Sequence, residues 1–248
     1  MFRRELWGLA IAALCLAGTT VQAESPVRNL AARVEVLAGD TDAAAGRWRA
    51  AVTHYSRALV LQPREPLTHY ARGYAHYRLG ELAEAEADFT AALGIDPKLA
   101  NAYNARGHVR SLRDHLDDAI ADFDRAIELE PEHNYAYFNR GLARHLKGET
   151  ADALEDYDRA IAVNPHLADA HAYRGLIWED HGDLDRAVRD FSKAIELDPD
   201  NARAYLWRGL VKLRQGKEAE GERDLERCLK LRPDLKAKVK KYLPTANV

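Results

Sequence analysis

The side chains in this 248-residue chain that could carry chemistry are ten histidines, several adjacent carboxylate pairs and two cysteines. His108 and His145, with His133 and His166, could converge on one surface, where imidazoles serve as metal ligands or pH-sensing groups. A metal site on a helix needs ligands three or four residues apart, and none of these four has such a neighbour among the others. Adjacent carboxylates such as Asp117-Asp118 and Glu179-Asp180 could act as a general acid and base. They fall at ordinary polar positions of helical segments, where a solvated face is the simpler reading. No H-E-x-x-H, C-x-x-C, G-x-S-x-G or Gly-rich phosphate loop is present, so the sequence calls for no metal, no cofactor and no catalytic residue.

Elements that would position these residues emerge from a strict period. Pro63, Pro97, Pro131, Pro165, Pro199 and Pro233 are each 34 residues apart. The same register holds Gly39, Gly73, Gly107, Gly141, Gly175 and Gly209. It holds Ala51, Ala85, Ala119, Ala153 and Ala187, then Gly221, and a second column from Ala58 to Ala194 that ends at Cys228. An aromatic column runs Tyr55, Phe89, Phe123, Tyr157 and Phe191, with Leu225 last. Six units of 34 therefore cover 32–235. Within a unit, Ala85, Phe89, Ala92 and Leu93 recur at helical spacing, and nothing alternates as a strand would. Gly46, Gly80, Gly148, Gly182 and Gly216, with Asp114 once, fall where a left-handed residue ends the first of two helices. The proline column then ends the second. Two short helices cannot bury their own apolar faces, so the units must stack.

These columns resemble the tetratricopeptide repeat, which has a Gly in its first helix, then Ala, an aromatic, Ala and a closing Pro. The resemblance implies an all-α helix-turn-helix solenoid and a role as a scaffold whose first helices line a concave groove for peptide or protein segments. On that face it places Leu67, Tyr70, Tyr74 and Tyr77, then Asn101, Asn104, His108 and Ser111, then Tyr135, Phe138, Leu142 and His145. Further units place Asp169, Ala172, Leu176 and Glu179, then Arg203, Leu206, Leu210 and Leu213 there. Tyr70, Tyr74, Tyr77, Asn101, Asn104, His108, Tyr135, Phe138 and His145 form the expected partner-binding half, with aromatics for apolar side chains and amides for a peptide backbone. Lysines of the subtype that clamps a C-terminal carboxylate are missing, with Tyr70, Phe138, Ala172 and Leu206 in their place.

Two charged columns also recur. Arg72, Arg106, Arg140, Arg174 and Arg208 precede the column glycine, and Asp88, Asp122, Asp156, Asp190 and Asp224 follow sixteen residues later. Both are missing from the first unit, with Ala38 and His54, which predicts an ion-pair ladder between first and second helices. An anion-binding stripe is the alternative. Glu35, Asp40 and Asp42 in the first unit suit the polar outer face that a terminal repeat needs. At the other end, Leu235, Val239 and Tyr242 share one face of a short capping helix within 236–248, its lysines solvated or turned to an acidic surface.

Arg3 and Arg4, the apolar residues 6–18 and Val21-Gln22-Ala23 read as a signal peptide over 1–23, followed by a lead-in at 24–31. The apolar run is too short for a stable membrane span. A periplasmic or secreted location follows as the expectation, with Cys228 the one cysteine left after cleavage. A net charge of -3 argues against nucleic acid as a partner. The expected function is a non-enzymatic adaptor holding a peptide or protein in the cell envelope. Carbohydrate binding on the Tyr and Asn rows is the alternative, and self-association through Leu206, Leu210 and Leu213 is a third reading.

Overall fold

The computed structural model describes residues 26–239 and 242; the signal-peptide reading of 1–23 lies outside them. Twelve helices pair into six units: α1 (Pro26–Ala44) with α2 (Trp48–Leu61), α3 (Pro66–Arg78) with α4 (Leu82–Ile95), and α5 (Ala100–Leu112) with α6 (Leu116–Leu129). The series continues with α7 (Asn134–Lys147) and α8 (Thr150–Val163), α9 (Ala168–Asp180) and α10 (Leu184–Leu197), and α11 (Ala202–Arg214) and α12 (Glu218–Leu231). A 3₁₀ turn, Pro233–Leu235, leads into α13 (Lys236–Val239). Among the described residues there is no strand, and no helix is long and apolar enough to cross a membrane.

Each unit turns on a left-handed residue. Gly80 and Gly148 have φ of +79° and +81°, and Asp114 takes the same conformation at +64°. The column glycine of each first helix has a different reason. A Cβ at Gly107 or Gly141 would lie 2.8 or 2.9 Å from the ring of Phe123 or Tyr157, so the glycine and the aromatic of one unit specify each other. Those rings are fully buried, and each packs in a separate core cluster with the Ala at the start of its second helix and a residue of the next first helix, Phe123 with Ala119 and Ala143, Tyr157 with Ala153 and Ile177.

The predicted ladder is present in all five units. Arg140 Nε and Nη2 donate to the Asp156 carboxylate at 2.6–3.1 Å, and Arg72–Asp88, Arg106–Asp122, Arg174–Asp190 and Arg208–Asp224 repeat the two-pronged geometry. A third partner escaped the sequence reading. Nη1 of each arginine donates to the second helix of the preceding unit, at Ser56, Thr90, Asp124, Asp158 and Ser192. One guanidinium thus joins three helices and sets the register between units. Burial by itself raises the Asp190 carboxyl, but the two hydrogen bonds from Arg174, with His171 Nδ1 3.6 Å away, outweigh it and hold the group below the usual carboxylate range.

The ends differ from the expectation at the first unit. Helix α1 starts at Pro26, six residues before the unit boundary at 32, so most of the lead-in is helical. Its acidic residues turn toward α2 instead of forming an outer face: Glu35 pairs with His54 Nδ1 at 2.6 Å, and Asp40 accepts the Tyr55 hydroxyl at 2.8 Å. The unmatched outer face is apolar. At the other end Val239 is fully buried where α13 packs on α12, while Leu235 is half-buried.

Candidate functional site

Successive first helices touch directly, α3 with α5, α5 with α7 and α9 with α11, while successive second helices make no comparable contact among the described residues. Closer spacing on that side curves the array with the first helices inside. The groove residues follow from this placement: positions at intervals of three and four on each first helix share its inner face.

Tyr74 is the most open aromatic in the first part of the groove, 40% exposed. It meets Tyr77 at 6.0 Å between ring centroids, and Tyr77 meets His108 edge-on at 5.4 Å, with its hydroxyl 3.1 Å from His108 Nε2. Burial pulls the His108 pKa below its ordinary value and so favours the neutral ring beside the Tyr77 hydroxyl. Trp48, from the second helix of unit one, completes the cluster, edge-on to Tyr74 at 6.0 Å. The Arg78 guanidinium lies over Trp48 at 4.2 Å and over Tyr74 at 6.0 Å. Neither Trp48 nor Arg78 was on the expected list. Trp48 shares its repeat position with Leu82, Leu116 and Leu184 and, like them, packs against a core cluster; its contact with Tyr74 joins it to the groove as well.

The other expected residues divide by depth. Asn101 is exposed and Tyr135 is 53% exposed, whereas Asn104 is half-buried and its Oδ1 accepts a hydrogen bond from Asn139 Nδ2 at 2.9 Å. Tyr70 and Phe138 form floor. Tyr70 packs on Phe89 at 5.6 Å, its hydroxyl pKa raised by burial, and Phe138 sits between Tyr157 and Tyr173 at 5.9 and 5.6 Å. His145 is half-buried, with Nε2 3.8 Å from Asp180. Leu206, Leu210 and Leu213, the expected self-association surface, are all half-buried, and Leu213 leans toward Gly221.

The four histidines considered as a cluster do not converge. His133 is buried as the N-cap of α7, accepting from the Ala136 amide at 3.3 Å, while His166 is exposed in the loop before α9. No group of three or more His, Cys, Asp or Glu side chains could hold a metal ion among the described residues.

Comparison with known proteins agrees with the geometry. Models described as TPR repeat match 39–80 and 180–216, and models described as tetratricopeptide repeat match 66–99, 105–167, 147–191 and 202–235. No curated protein matches the sequence. Among solved structures, MamA is similar at 28% identity over 66% of this chain and 96% of its own, with a TM-score of 0.59. PilF of Pseudomonas aeruginosa shares the fold at 18% identity over 83% of this chain and 94% of its own, TM-score 0.73. YrrB, described as a TPR protein with an unusual peptide-binding site, shares it at 23% identity over 75% and 97%, TM-score 0.55.

Proposed function

Because the chain belongs to the tetratricopeptide repeat family, we propose that it is a non-enzymatic scaffold that binds a peptide or protein partner in its concave groove and acts in the periplasm or cell envelope. The observation that carries this reading is the Trp48, Tyr74, Tyr77 and His108 cluster with Arg78 against it. One exposed ring, Tyr74, on a half-buried aromatic base of Trp48, Tyr77 and His108 is an arrangement in which a few side chains supply most of the energy of a protein interface. Asn101 and Tyr135 extend that patch along the inner face. The signal-like residues 1–23 support the location.

A flat sugar platform has less support. Trp48 stands edge-on to Tyr74, and its face is occupied by Arg78.

The test is capture of partners from a native envelope extract by the chain and by Tyr74→Ala/Tyr77→Ala, with the bound proteins identified by mass spectrometry and titrated back as pure components. A partner whose affinity falls at least tenfold in the variant supports the reading, since truncating a central aromatic costs about 2 kcal/mol or more. Equal binding to both forms would refute a groove-dependent adaptor.

A further inference from the structure

The ladder carboxylates do not all hold the same cations. Asp122, Asp156 and Asp224 each take two: the column arginine, and then Arg110, Arg144 or Lys212 from the position four residues later on the same first helix. In units two and five that later position is His76, whose Nε2 stands 3.9 Å from Asp88, and Trp178. The same two units depart from the others at one more place. Where units three, four and six have Tyr103, Tyr137 and Tyr205, they have His69 and His171. His69 Nδ1 lies 3.5 Å from Asp88 Oδ1, and His171 Nδ1 lies 3.6 Å from Asp190 Oδ1. On the other side of each ring, Nε2 meets a carbonyl oxygen of the loop that closes the preceding unit, Pro63 at 3.0 Å and Pro165 at 3.2 Å.

Both nitrogens of these two rings therefore face acceptors. A neutral imidazole has one proton, and with that proton on Nε2 for the proline carbonyl, Nδ1 turns a lone pair toward a carboxylate. Both Nδ1 atoms are buried and make no hydrogen bond. A second proton makes each of them a donor to its aspartate, in a charge-assisted bond. We infer that His69 and His171 are the second cations of their rungs, present only when protonated, so that units two and five carry acid-closed latches where units three, four and six carry fixed ones. A closed latch joins three pieces: the loop before the first helix, the first helix itself and the carboxylate of the second helix. The neighbouring charges set the balance. Asp88 from α4 also holds Arg72 and faces His76, both on α3; Glu65 at the N-cap of α3 is exposed, and α2 adds only the neutral Ser56, bound to Arg72. Asp190 from α10 holds Arg174 of α9, whose charge is shared with Asp158 of α8. The repeat position of Arg159, which lies over Tyr137, is Ala91 in unit two and Lys193, paired with Glu196, in unit five. Asp190 is held below the usual carboxylate range, so it stays charged while imidazole titrates. The added stability is present below the ordinary imidazole value of about 6.5 and is lost as pH rises beyond it.

Hydrogen exchange on the chain purified from its producing cell tests the latches at about pH 5.5 and about pH 8, either side of the imidazole value. Rates are compared as protection, so that the intrinsic pH dependence of exchange cancels. Acid should raise protection in α3 and α4 and in α9 and α10 by about tenfold, the worth of one hydrogen bond to a charged group. It should bring no gain in α11 and α12, where Lys212 is the fixed second cation and no histidine is present. His69→Gln should remove the gain from α3 and α4 alone, and His171→Gln from α9 and α10 alone, so each latch is the control for the other. At about pH 8 the latches are open, so both variants should match the native chain there, which separates loss of a latch from damage to the fold. Trp178→Arg, which supplies unit five with a fixed second cation, should abolish the gain in α9 and α10. No gain in either pair of helices, a gain that persists in the glutamine variants, or one undiminished by Trp178→Arg would overturn the proposal.

Discussion

Replacing Asp156 by alanine should be among the most damaging single substitutions in the ladder. The carboxylate is 2% exposed and accepts from Arg140 Nε and Nη2 and from Arg144 Nη1 at 2.6–3.1 Å. Removing it deletes two charge-assisted partnerships, each worth about 1.5–3 kcal/mol. The stranded cations are not fully abandoned. Arg140 keeps Asp124 at 2.5 Å, and the Arg140 and Arg144 side chains are 16 and 22% exposed, so water reaches them. A net loss of about 3 kcal/mol results, at the lower edge of what breaking a buried pair costs. Asp190 has one arginine, with Trp178 at the repeat position of Arg144, so Asp190→Ala should cost about 1.5 kcal/mol less. Urea titration followed by circular dichroism measures both. Because a solenoid can unfold unit by unit, hydrogen exchange should place the loosening in α7, α8 and their neighbours. Arg140→Met/Asp156→Leu should cost less than Asp156→Ala, since it leaves fewer uncompensated charges. A loss below about 0.5 kcal/mol for Asp156→Ala, the range of an ordinary surface change, would refute the ladder as a stabilising element.

Further expectations concern glycine, acid and the groove. Gly141→Ala sets a Cβ 2.9 Å from a fully buried Tyr157 ring and should cost about 1–3 kcal/mol by overpacking, whereas Gly94→Ala, with open space at the same atom, should gain about 0.5–1 kcal/mol in helix propensity; thermal unfolding separates the two signs. Burial lowers the pKa values of His108 and His133, so their neutral forms stabilise the fold above the unfolded histidine value of about 6.5, and that stability is lost as pH falls from there through their folded values. A second loss should follow at lower pH, as Asp190 and Glu86, held below the usual carboxylate range, take up protons; melting temperature against pH, with His108→Gln/His133→Gln removing the first step, checks the order. Partner binding should change Trp48 fluorescence, read in Trp7→Phe/Trp178→Phe/Trp207→Phe, and Tyr74→Ala should abolish the change.

Most of the architecture was legible because each structural demand recurs as one residue type. A left-handed turn wants glycine, a ring 2.9 Å away forbids a Cβ, and a buried arginine wants a carboxylate, so the columns of Gly80, Gly141 and Asp156 announce themselves. The third partner of each ladder arginine did not. Ser56, Thr90, Asp124, Asp158 and Ser192 do one job, accepting a guanidinium hydrogen bond, with three different side chains. A column of function is invisible to a search for a column of identity. The groove was legible as a face but not in depth: Tyr70 and Phe138 lie on the expected helical stripe, yet whether such a ring points at solvent or at Phe89 and Tyr157 is decided by the neighbouring unit.

The first unit shows why a period can mislead at its own boundary. Counting back in steps of 34 cuts α1 at residue 32 and leaves Val27 and Leu30 in a lead-in, apart from Val34 and Leu37. Split that way, two short apolar pairs carry no signal, and the acidic residues alone suggest a polar cap. The helix itself runs Pro26–Ala44, and along it the four apolar side chains share one face. The same physics that stacks units inside the array thus leaves a larger and stickier version of the stacking face at its start. Four exposed aliphatic side chains in register stand at that end where the acidic residues had suggested the polar outer face of a terminal repeat.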